Sequence, residues 1–358
     1  MNKLTKLLFS VISSVMIITS ASAGEFSVTG GAKATYTVLG NTGTAGTHGQ
    51  GRGLGISNEF SLGASGELDN GITWSYAQDI DGATVQDDAN ITLNTDYGTV
   101  RLCISECGLS TKFAFDNSAY GLGSDNGYGG GSAATTAMQY GKNISAYNNI
   151  QYHIPADILP YGTTFKIGMT PGQADTDANA SSHSTNAGVE DGSMTQYALT
   201  VAPLDGLKIS ASYYDFSDES NRNSKQEAEG GSLGANYTYG AFSFGVGETR
   251  HTPALRTGQS KTAAHTKDYR NQAYSLGFAV NDSLSVSYTN EDSEKNQGFD
   301  TGANVATKSN VTMEMETIDV AYTVGGMTLS LSTSETTNDS YNTGDEVNEH
   351  ILAMSLAF

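Results

Sequence analysis

The chain has 358 residues, of which 42 are glycine, 19 are tyrosine and only 5 are proline, and 37% are hydrophobic. This composition favours strands and turns over helices, and the lack of a run of about 20 apolar residues after the N-terminus excludes a bundle of transmembrane helices. A formal net charge of −20 argues against a nucleic-acid partner, because acidic side chains repel phosphate backbones.

The first 23 residues have the pattern of a secretory signal peptide. Lys3 and Lys6 precede an apolar stretch over residues 7–18, and Ala21-Ser22-Ala23 forms an A-x-A cleavage site. An uncleaved membrane anchor is the weaker alternative, because the apolar stretch is shorter than a bilayer span. We expect cleavage after Ala23, which leaves residues 24–358 as the exported chain.

From residue 24 onward, apolar residues alternate with small or polar ones. The segment from Leu207 places Ile209, Ala211 and Tyr213 on one face, as a strand does and a helix does not. The same alternation occurs over residues 195–203, 275–280, 284–289, 317–324 and 327–332. The sequence therefore predicts an all-β protein.

The connections between these segments alternate in length. Short turns are predicted at residues 69–71, 96–98, 155–162, 203–206, 240, 281–282 and 325–326, which are rich in residues that tolerate tight-turn backbone angles. Long polar loops are predicted at residues 40–53, 80–88, 106–143, 171–192, 217–230, 250–270, 292–312 and 336–346. Seven short and eight long connections join sixteen antiparallel strands, with both chain ends on one side.

Two folds could place one apolar face on each strand. A soluble sandwich would turn that face towards a core, but it leaves the asymmetry in loop length unexplained. In a transmembrane up-and-down β-barrel the apolar face meets lipid and the polar face lines the lumen. Short periplasmic turns and long external loops are typical of that fold. Sixteen strands also leave an aqueous channel, so we predict a sixteen-stranded transmembrane barrel over residues 24–358.

Several motifs resemble a known family. The chain ends with Leu352, Met354, Leu356 and Phe358 on one face, similar to the terminal strand of bacterial outer-membrane barrels, which the barrel-assembly machinery reads. Residues 58–72 and 96–102 are similar to the early hairpins of Gram-negative general diffusion porins, with their L-x-N-G and G-T-V-x-L elements. Residues 148–155 are similar to the strand that follows the constriction loop of that family.

The resemblance implies a homotrimeric outer-membrane channel for passive diffusion of ions and small hydrophilic solutes. It also implies that the loop at about 106–143 folds into the lumen as a constriction, although a glycine-rich external loop has the same composition. One departure concerns the basic wall: Cys103-Ile104 stands where family members often place glycine and arginine. A closed or plugged barrel whose loops act in adhesion or receptor binding is the alternative function.

The alternation pattern assigns charged residues to the lumen. The basic candidates on the wall are Lys33, Arg101, Lys166 and Lys208, and the acidic ones are Glu59, Glu67, Asp79 and Asp319. The resemblance adds the loop acids Glu106, Asp116 and Asp125. Opposed charges across a narrow lumen filter ions, although each group could equally be a solvated lumen residue. The acidic net charge leads us to expect cation preference.

Cys103 and Cys107 are the only cysteines, and an even pair in an exported protein suggests a disulfide. In an extended strand, four residues span about 13 Å, which is too far for a bridge, so a disulfide requires a turn at Ser105-Glu106.

We expect no cofactor and no enzymatic activity, because the catalytic motif H-E-x-x-H is missing from the sequence and no G-x-S-x-G elbow between a strand and a helix is predicted. The acidic stretches 79–88 and 175–177 could hold Ca²⁺ or bridge lipopolysaccharide through it, although solvated acids are the simpler interpretation. Small outward residues on the first strands predict a subunit interface there: Gly30, Ala32, Ala34, Asn58, Ala64 and Gly66.

Overall fold

The computed structural model is a closed antiparallel barrel in which each strand pairs with its neighbours in sequence and the first strand pairs with the last. The structure describes residues 24–41, 51–81, 84–124, 138–170, 193–217, 226–253, 265–298 and 310–358. The expected signal peptide therefore lies outside the described residues. Within the described part, no helix has the length and apolar character needed to cross a membrane.

Sixteen strands make up the described wall, as the sequence predicts. They are β1 (Glu25–Asn41), β2 (Gly51–Glu67), β3 (Thr73–Asp81), β4 (Thr84–Thr95), β5 (Gly98–Ile104), β6 (Asn149–His153), β7 (Thr164–Thr170), β8 (Ser193–Leu204), β9 (Leu207–Ser217), β10 (Glu229–Tyr239), β11 (Phe242–Thr252), β12 (His265–Ala279), β13 (Leu284–Gly298), β14 (Val311–Val324), β15 (Met327–Thr337) and β16 (Glu346–Ala357). Short 3₁₀ turns occur at Ile144–Ala146, Ala156–Ile158 and Asp339–Tyr341.

The seven predicted short turns all join consecutive strands at one end of the barrel. Gly71, Gly206, Gly240 and Gly325 have positive φ in these turns, a conformation that glycine adopts without the penalty a Cβ brings. This short-turn end also holds the two termini of the described chain, because Gly30 and Phe358 exchange backbone hydrogen bonds of 2.8 and 2.9 Å.

One predicted long loop is wrong. We expected a long connection over residues 80–88, but β3 continues to Asp81 and β4 begins at Thr84, so the two strands form a tight hairpin. The pairing continues beyond an irregularity between Gln78 and Ile80. The acidic residues in this stretch suggested a loop, yet backbone pairing in the polar end of a barrel needs no apolar alternation.

Several other strands are also longer than predicted. β11 ends at Thr252 and β12 begins at His265, both inside the loop expected over residues 250–270. β13 runs to Gly298 and β14 begins at Val311, which shortens the loop expected over 292–312. Strand pairing continues at these charged positions because the backbone N–H and C=O groups still need hydrogen-bond partners.

The two faces of the wall differ as the alternation predicts. Large apolar side chains are exposed on the outer face, for example Leu54 at 79% and Ile56 at 75%. On the inner face, many strand positions are serine, threonine or glycine, and several are buried against chain that lies inside the barrel. The wall is thus apolar outside and polar inside, the arrangement of a barrel in a membrane.

Candidate functional site

The segment that joins β5 to β6 lies inside the barrel. We call residues 105–148 the inward loop; residues 105–124 and 138–148 of it are described. Its backbone and side chains bond to polar residues on the inner faces of distant strands. These contacts are Thr111 N to Ser212 Oγ (3.0 Å), Asn117 Nδ2 to Ser275 Oγ (2.8 Å), Ala119 N to Ser287 Oγ (2.7 Å) and Asn236 Nδ2 to Asn117 Oδ1 (2.8 Å).

A disulfide forms the entrance to the inward loop. Cys103, on β5, is bonded to Cys107, and their Cα atoms are 6.1 Å apart. Ser105 and Cys107 adopt positive φ values of 50° and 67°, which produces the turn that the short spacing requires. Gln151 Nε2 on β6 donates to the carbonyl of Cys107, so the bridge is tied to the neighbouring strand.

Two asparagines hold the limbs of the inward loop together. Asn143 Oδ1, on the returning limb, accepts from the backbone N–H groups of Leu109 (3.0 Å) and Ser110 (3.1 Å) on the outgoing limb. Asn149 Nδ2, at the start of β6, donates to the carbonyls of Glu106 (3.0 Å) and Tyr147 (2.9 Å). These hydrogen bonds therefore close the base of the loop beside the disulfide.

At several glycines, the wall beneath the loop has no room for a side chain. A Cβ on Gly245 would collide with the carbonyl of Phe115, and one on Gly247 would lie 2.7 Å from the Phe115 ring. The same holds on neighbouring strands, where a Cβ on Gly234 would lie 2.9 Å from Ala114 and one on Gly277 would lie 3.0 Å from the Asn117 carbonyl. These glycines were not among the predicted site residues, although the alternation pattern places them on the inner face of β10, β11 and β12.

The far end of the loop is held by a buried carboxylate. Glu291, on the inner face of β13, is 0% exposed and accepts from the hydroxyl groups of Ser124 and Tyr140, the latter at 2.7 Å. Burial and the adjacent carboxylate raise the pKa of Tyr140 well above its ordinary value of 10.0, so its hydroxyl stays protonated as a donor. Glu291 lies between the alternation predicted over residues 284–289 and the loop predicted over 292–312, so the sequence pattern did not identify it.

Strand register places the eight predicted wall residues on the inner face. Glu59 lies opposite Gly31, which is two residues from Lys33, and Asp79 lies opposite Ser61 on the same face. Arg101 lies opposite Gln151, Lys166 opposite His153, and Lys208 opposite Asn236. Glu59, Glu67 and Lys208 are exposed on this face.

The inner-face charges do not form one ring. Lys33 lies 5.5 Å from the centre of the Tyr120 ring of the inward loop. Asp319 is only 1% exposed, because the loop covers it; it accepts from Ser287 Oγ at 3.2 Å and from the backbone of Tyr120 and Gly121. Contrary to the expectation, Asp319 holds the loop in place and does not face open lumen.

The loop acids have local partners where they are described. Glu106 accepts from Asn90 Nδ2 on β4, and Asp116 Oδ1 accepts from the backbone N–H of Ser118 at 2.7 Å. Asp125 lies outside the described residues. Asp116 is exposed, so of the three it is the acid whose placement towards open lumen the structure supports.

Three basic residues and one histidine lie close to the short-turn end. We call Arg101, His153, Lys166 and Lys208 the basic strip; each is at most four residues from the nearest short turn. The sequence analysis missed His153, which its inward position on β6 would have revealed. In the described residues, no group of three or more His, Cys, Asp or Glu side chains is arranged to hold a metal ion.

A family model described as Gram-negative porin matches residues 11–301. A search of curated proteins finds no match. Among solved structures, OmpT of Vibrio cholerae superposes with a TM-score of 0.63 at 12% identity, covering 96% of this chain and 100% of that one. OmpF of Salmonella typhi in complex with daunomycin gives 0.62 at 13% identity, covering 95% of this chain and 100% of that one. The anion-selective porin of Comamonas acidovorans gives 0.60 at 15% identity, covering 93% of this chain and 100% of that one. All three share the fold of this chain.

Proposed function

The chain belongs to the Gram-negative porin family, and from that membership we propose how its lumen is lined and which ions it prefers. It is an outer-membrane β-barrel protein, and its family and fold support a channel for passive diffusion. Its short-turn end is taken below as the periplasmic end, as in barrels of this class.

We propose that solutes pass between the inward loop and the wall that the loop leaves bare. The observation that carries this proposal is the loop itself, which bonds to Ser212, Ser275 and Ser287 on β9, β12 and β13. On β2, by contrast, the inward carboxylates of Glu59 and Glu67 are exposed. Charged side chains that stay exposed inside a closed barrel require water there. The inward loop and the bare wall on β2 therefore border an aqueous path.

We propose that this path prefers cations. Glu59, Asp79 and Asp81 lie on the bare wall of β2 and β3, and Asp116 lies on the loop. The formal charge of the whole chain is −20. Fixed charge of one sign, focused by low-dielectric walls, concentrates ions of the opposite sign. The basic strip opposes this preference, but it lies at the periplasmic end of the path.

Planar bilayers test the proposed path and its selectivity together. Purified, refolded protein without the signal segment is added, and single-channel conductance is recorded with the reversal potential across a KCl gradient. We expect discrete open channels and a cation-selective potential. An anion-selective potential would overturn the proposed preference, and a folded, inserted protein that passes no current would overturn the open path and direct attention to loop-mediated binding.

We also propose a homotrimer that contacts itself through β1, β2 and β16. The outward residues Gly30, Ala32 and Ala34 of β1 are small, and small residues pack well against protein. OmpT of Vibrio cholerae has been solved in a trimer form. Light scattering on the detergent-solubilised protein should give three chains per particle, and replacing Ala32 with tryptophan should reduce this to one.

Phe358 lies on the outer face, with its ring centre 5.6 Å from that of Phe60. We propose that this C-terminal aromatic residue is read by the barrel-assembly machinery, and that lipopolysaccharide surrounds the external end, with Ca²⁺ as a bridging ion. Deletion of Phe358 should lower the amount of assembled barrel in the outer membrane while leaving refolding in detergent intact. Equal assembly with and without Phe358 would contradict the proposed recognition.

A further inference from the structure

The basic strip lies directly beneath the inward loop. On β6, His153 is two residues on the turn side of Gln151, which bonds to the Cys107 carbonyl. On β7, Lys166 is two residues on the turn side of Gly168, where a Cβ would meet Leu109 and Ile144 of the loop at 2.9 Å. On β5, Arg101 is two residues on the turn side of Cys103, and on β9, Lys208 is four residues on the turn side of Ser212. A solute that has passed the loop therefore meets these four side chains next.

The four groups are close enough to act on one another. Lys166 lies directly opposite His153 across β6 and β7, and Arg101 is on the adjoining strand β5. The charges that act on Lys166 are those of Arg101 and Lys208, both positive. The positive charges of Lys166 and Arg101 also act on His153. Arg101, Lys166 and Lys208 are thus like charges that repel one another, and they favour the neutral form of His153.

No carboxylate neutralises the strip within the described residues. The ion pairs described there join Arg250 and Arg270 to Asp268, at the opposite end of the barrel. Around the strip the partners are neutral: Arg101 Nε donates to Thr92 Oγ1 at 3.1 Å, and His153 Nε2 bonds to Gln151 Oε1 at 2.9 Å. Like charges confined in a lumen without a counter-charge are stabilised by a bound anion.

The chemistry of the strip selects the class of anion. A guanidinium offers a planar fork of N–H groups that matches phosphate oxygens, and ammonium groups bind phosphate as point charges. Neighbouring strands are about 4.8 Å apart, so the backbones of Arg101 on β5 and Lys166 on β7 are separated by roughly 10 Å or more. The backbone of Lys208 is farther still from that of Lys166, because Lys166 is level with Ser212, four residues away on β9. Because the strip extends over that distance along the wall, a chain of phosphate groups can contact more of it than one phosphate can.

We propose that Arg101, His153, Lys166 and Lys208 form a binding station for polyvalent phosphate anions on the periplasmic side of the inward loop. The proposal rests on the proposed function, because the anion must enter a conducting lumen. It adds anions to the solutes that the channel binds, although the net negative charge of the chain by itself favours cations. An anion held there narrows the path below the loop and reduces the current.

The test uses inorganic tripolyphosphate on open channels in planar bilayers, at constant ionic strength. In the unaltered protein we expect a concentration-dependent reduction of single-channel current. Removal of one charge-assisted contact, by Arg101→Gln or Lys166→Gln, should raise the half-blocking concentration about tenfold or more. Lys33→Gln is the matched control, since it removes the same charge from the inner face of β1. It should change the half-blocking concentration less than about twofold.

Three outcomes would overturn the proposal. Open channels that tripolyphosphate does not block would show that the station does not bind, while the persisting current would leave the proposed channel intact. An equal loss of block in Lys33→Gln and Lys166→Gln would assign the effect to general lumen charge. Block that survives in the triple variant Arg101→Gln, Lys166→Gln, Lys208→Gln would place the binding elsewhere. Lys166→Arg, which keeps the charge, should retain the block and shows that loss in Lys166→Gln is not a folding defect.

Discussion

The inner wall of the barrel has two regions of different character. Under the inward loop, the wall positions include glycines and buried hydroxyl residues, such as Gly245 and Ser275, and carboxylates there, such as Glu291, are buried and bonded to the loop. On β2 and β3, which the described residues of the loop do not cover, the wall positions include the carboxylates of Glu59 and Asp79. A covered wall needs space and hydrogen-bond partners, whereas a bare wall needs groups that water can solvate. The two regions of the inner face therefore differ in residue size and in the burial of their carboxylates.

The largest effect should follow from filling the covered wall. A valine at Gly245 would place its side chain where the Phe115 carbonyl lies, so the inward loop must move away from β11. We expect Gly245→Val to raise single-channel conductance and to lower the free energy of unfolding by about 1–3 kcal/mol, the usual cost of overpacking. Conductance and denaturant unfolding measure the two effects.

Gly53→Val is the matched control, since Gly53 lies on the inner face of β2 with no atom within 4 Å of its built Cβ. It should leave both quantities close to those of the unaltered protein. If the two variants behaved alike, the distinction between covered and bare wall would be wrong.

Removal of the buried carboxylate should have the next largest effect. Glu291→Ala leaves the hydroxyl groups of Ser124 and Tyr140 without their acceptor, which costs about 1–3 kcal/mol for an unsatisfied buried group. We expect a noisier open-channel current as the end of the loop loosens. Glu291→Gln keeps an acceptor oxygen and should fall between the alanine variant and the unaltered protein. A quiet current in Glu291→Ala would show that other contacts suffice.

Loss of the disulfide should have a smaller effect. Replacing Cys103 and Cys107 with serine opens a five-residue ring, which the chain-entropy relation values at about 2 kcal/mol. The barrel should still form, because Asn143 and Asn149 close the base of the loop independently. We expect reductant to alter the conductance of the unaltered protein slightly and that of the serine variant not at all. A collapse of assembly in the serine variant would contradict this account.

The smallest effect concerns alkaline pH. Burial raises the pKa of Tyr341 to about 12, and its hydroxyl accepts from Gln139 N of the loop at 3.1 Å. A pKa raised above the unfolded value of 10 gives stability that is complete below pH 10 and is lost as pH rises towards 12. Conductance noise should therefore increase between pH 10 and 12. Tyr341→Phe should weaken this dependence, and an unchanged profile would exclude Tyr341 as its source.

The sequence predicted the barrel because two independent signals agreed. Alternation gave the strands, and turn residues such as Gly206 and Gly240 gave the short connections. The β3–β4 hairpin was missed because Asp81 and the acids near it look like loop residues, while backbone pairing continues regardless of side-chain polarity.

The lumen was predicted less completely. The alternation of strand residues placed Arg101 and Lys166 on the inner face, but it does not indicate which part of the wall the loop covers. Asp319 was therefore expected to face water, and the loop in fact covers it. Glu291 could not be recognised, since its role depends on Ser124 and Tyr140, which are more than 150 residues away in sequence.

The most direct test of the account is a covalent link between the inward loop and the wall. Ala119 N lies 2.7 Å from Ser287 Oγ, so cysteines at these two positions should form a disulfide within one chain. Peptide mapping by mass spectrometry distinguishes this bond from the native one. We predict that Ala119→Cys with Ser287→Cys forms the new bond fully in the refolded barrel and keeps a conducting channel. A folded double variant in which the two thiols stay free would place the loop away from the wall and contradict the central claim.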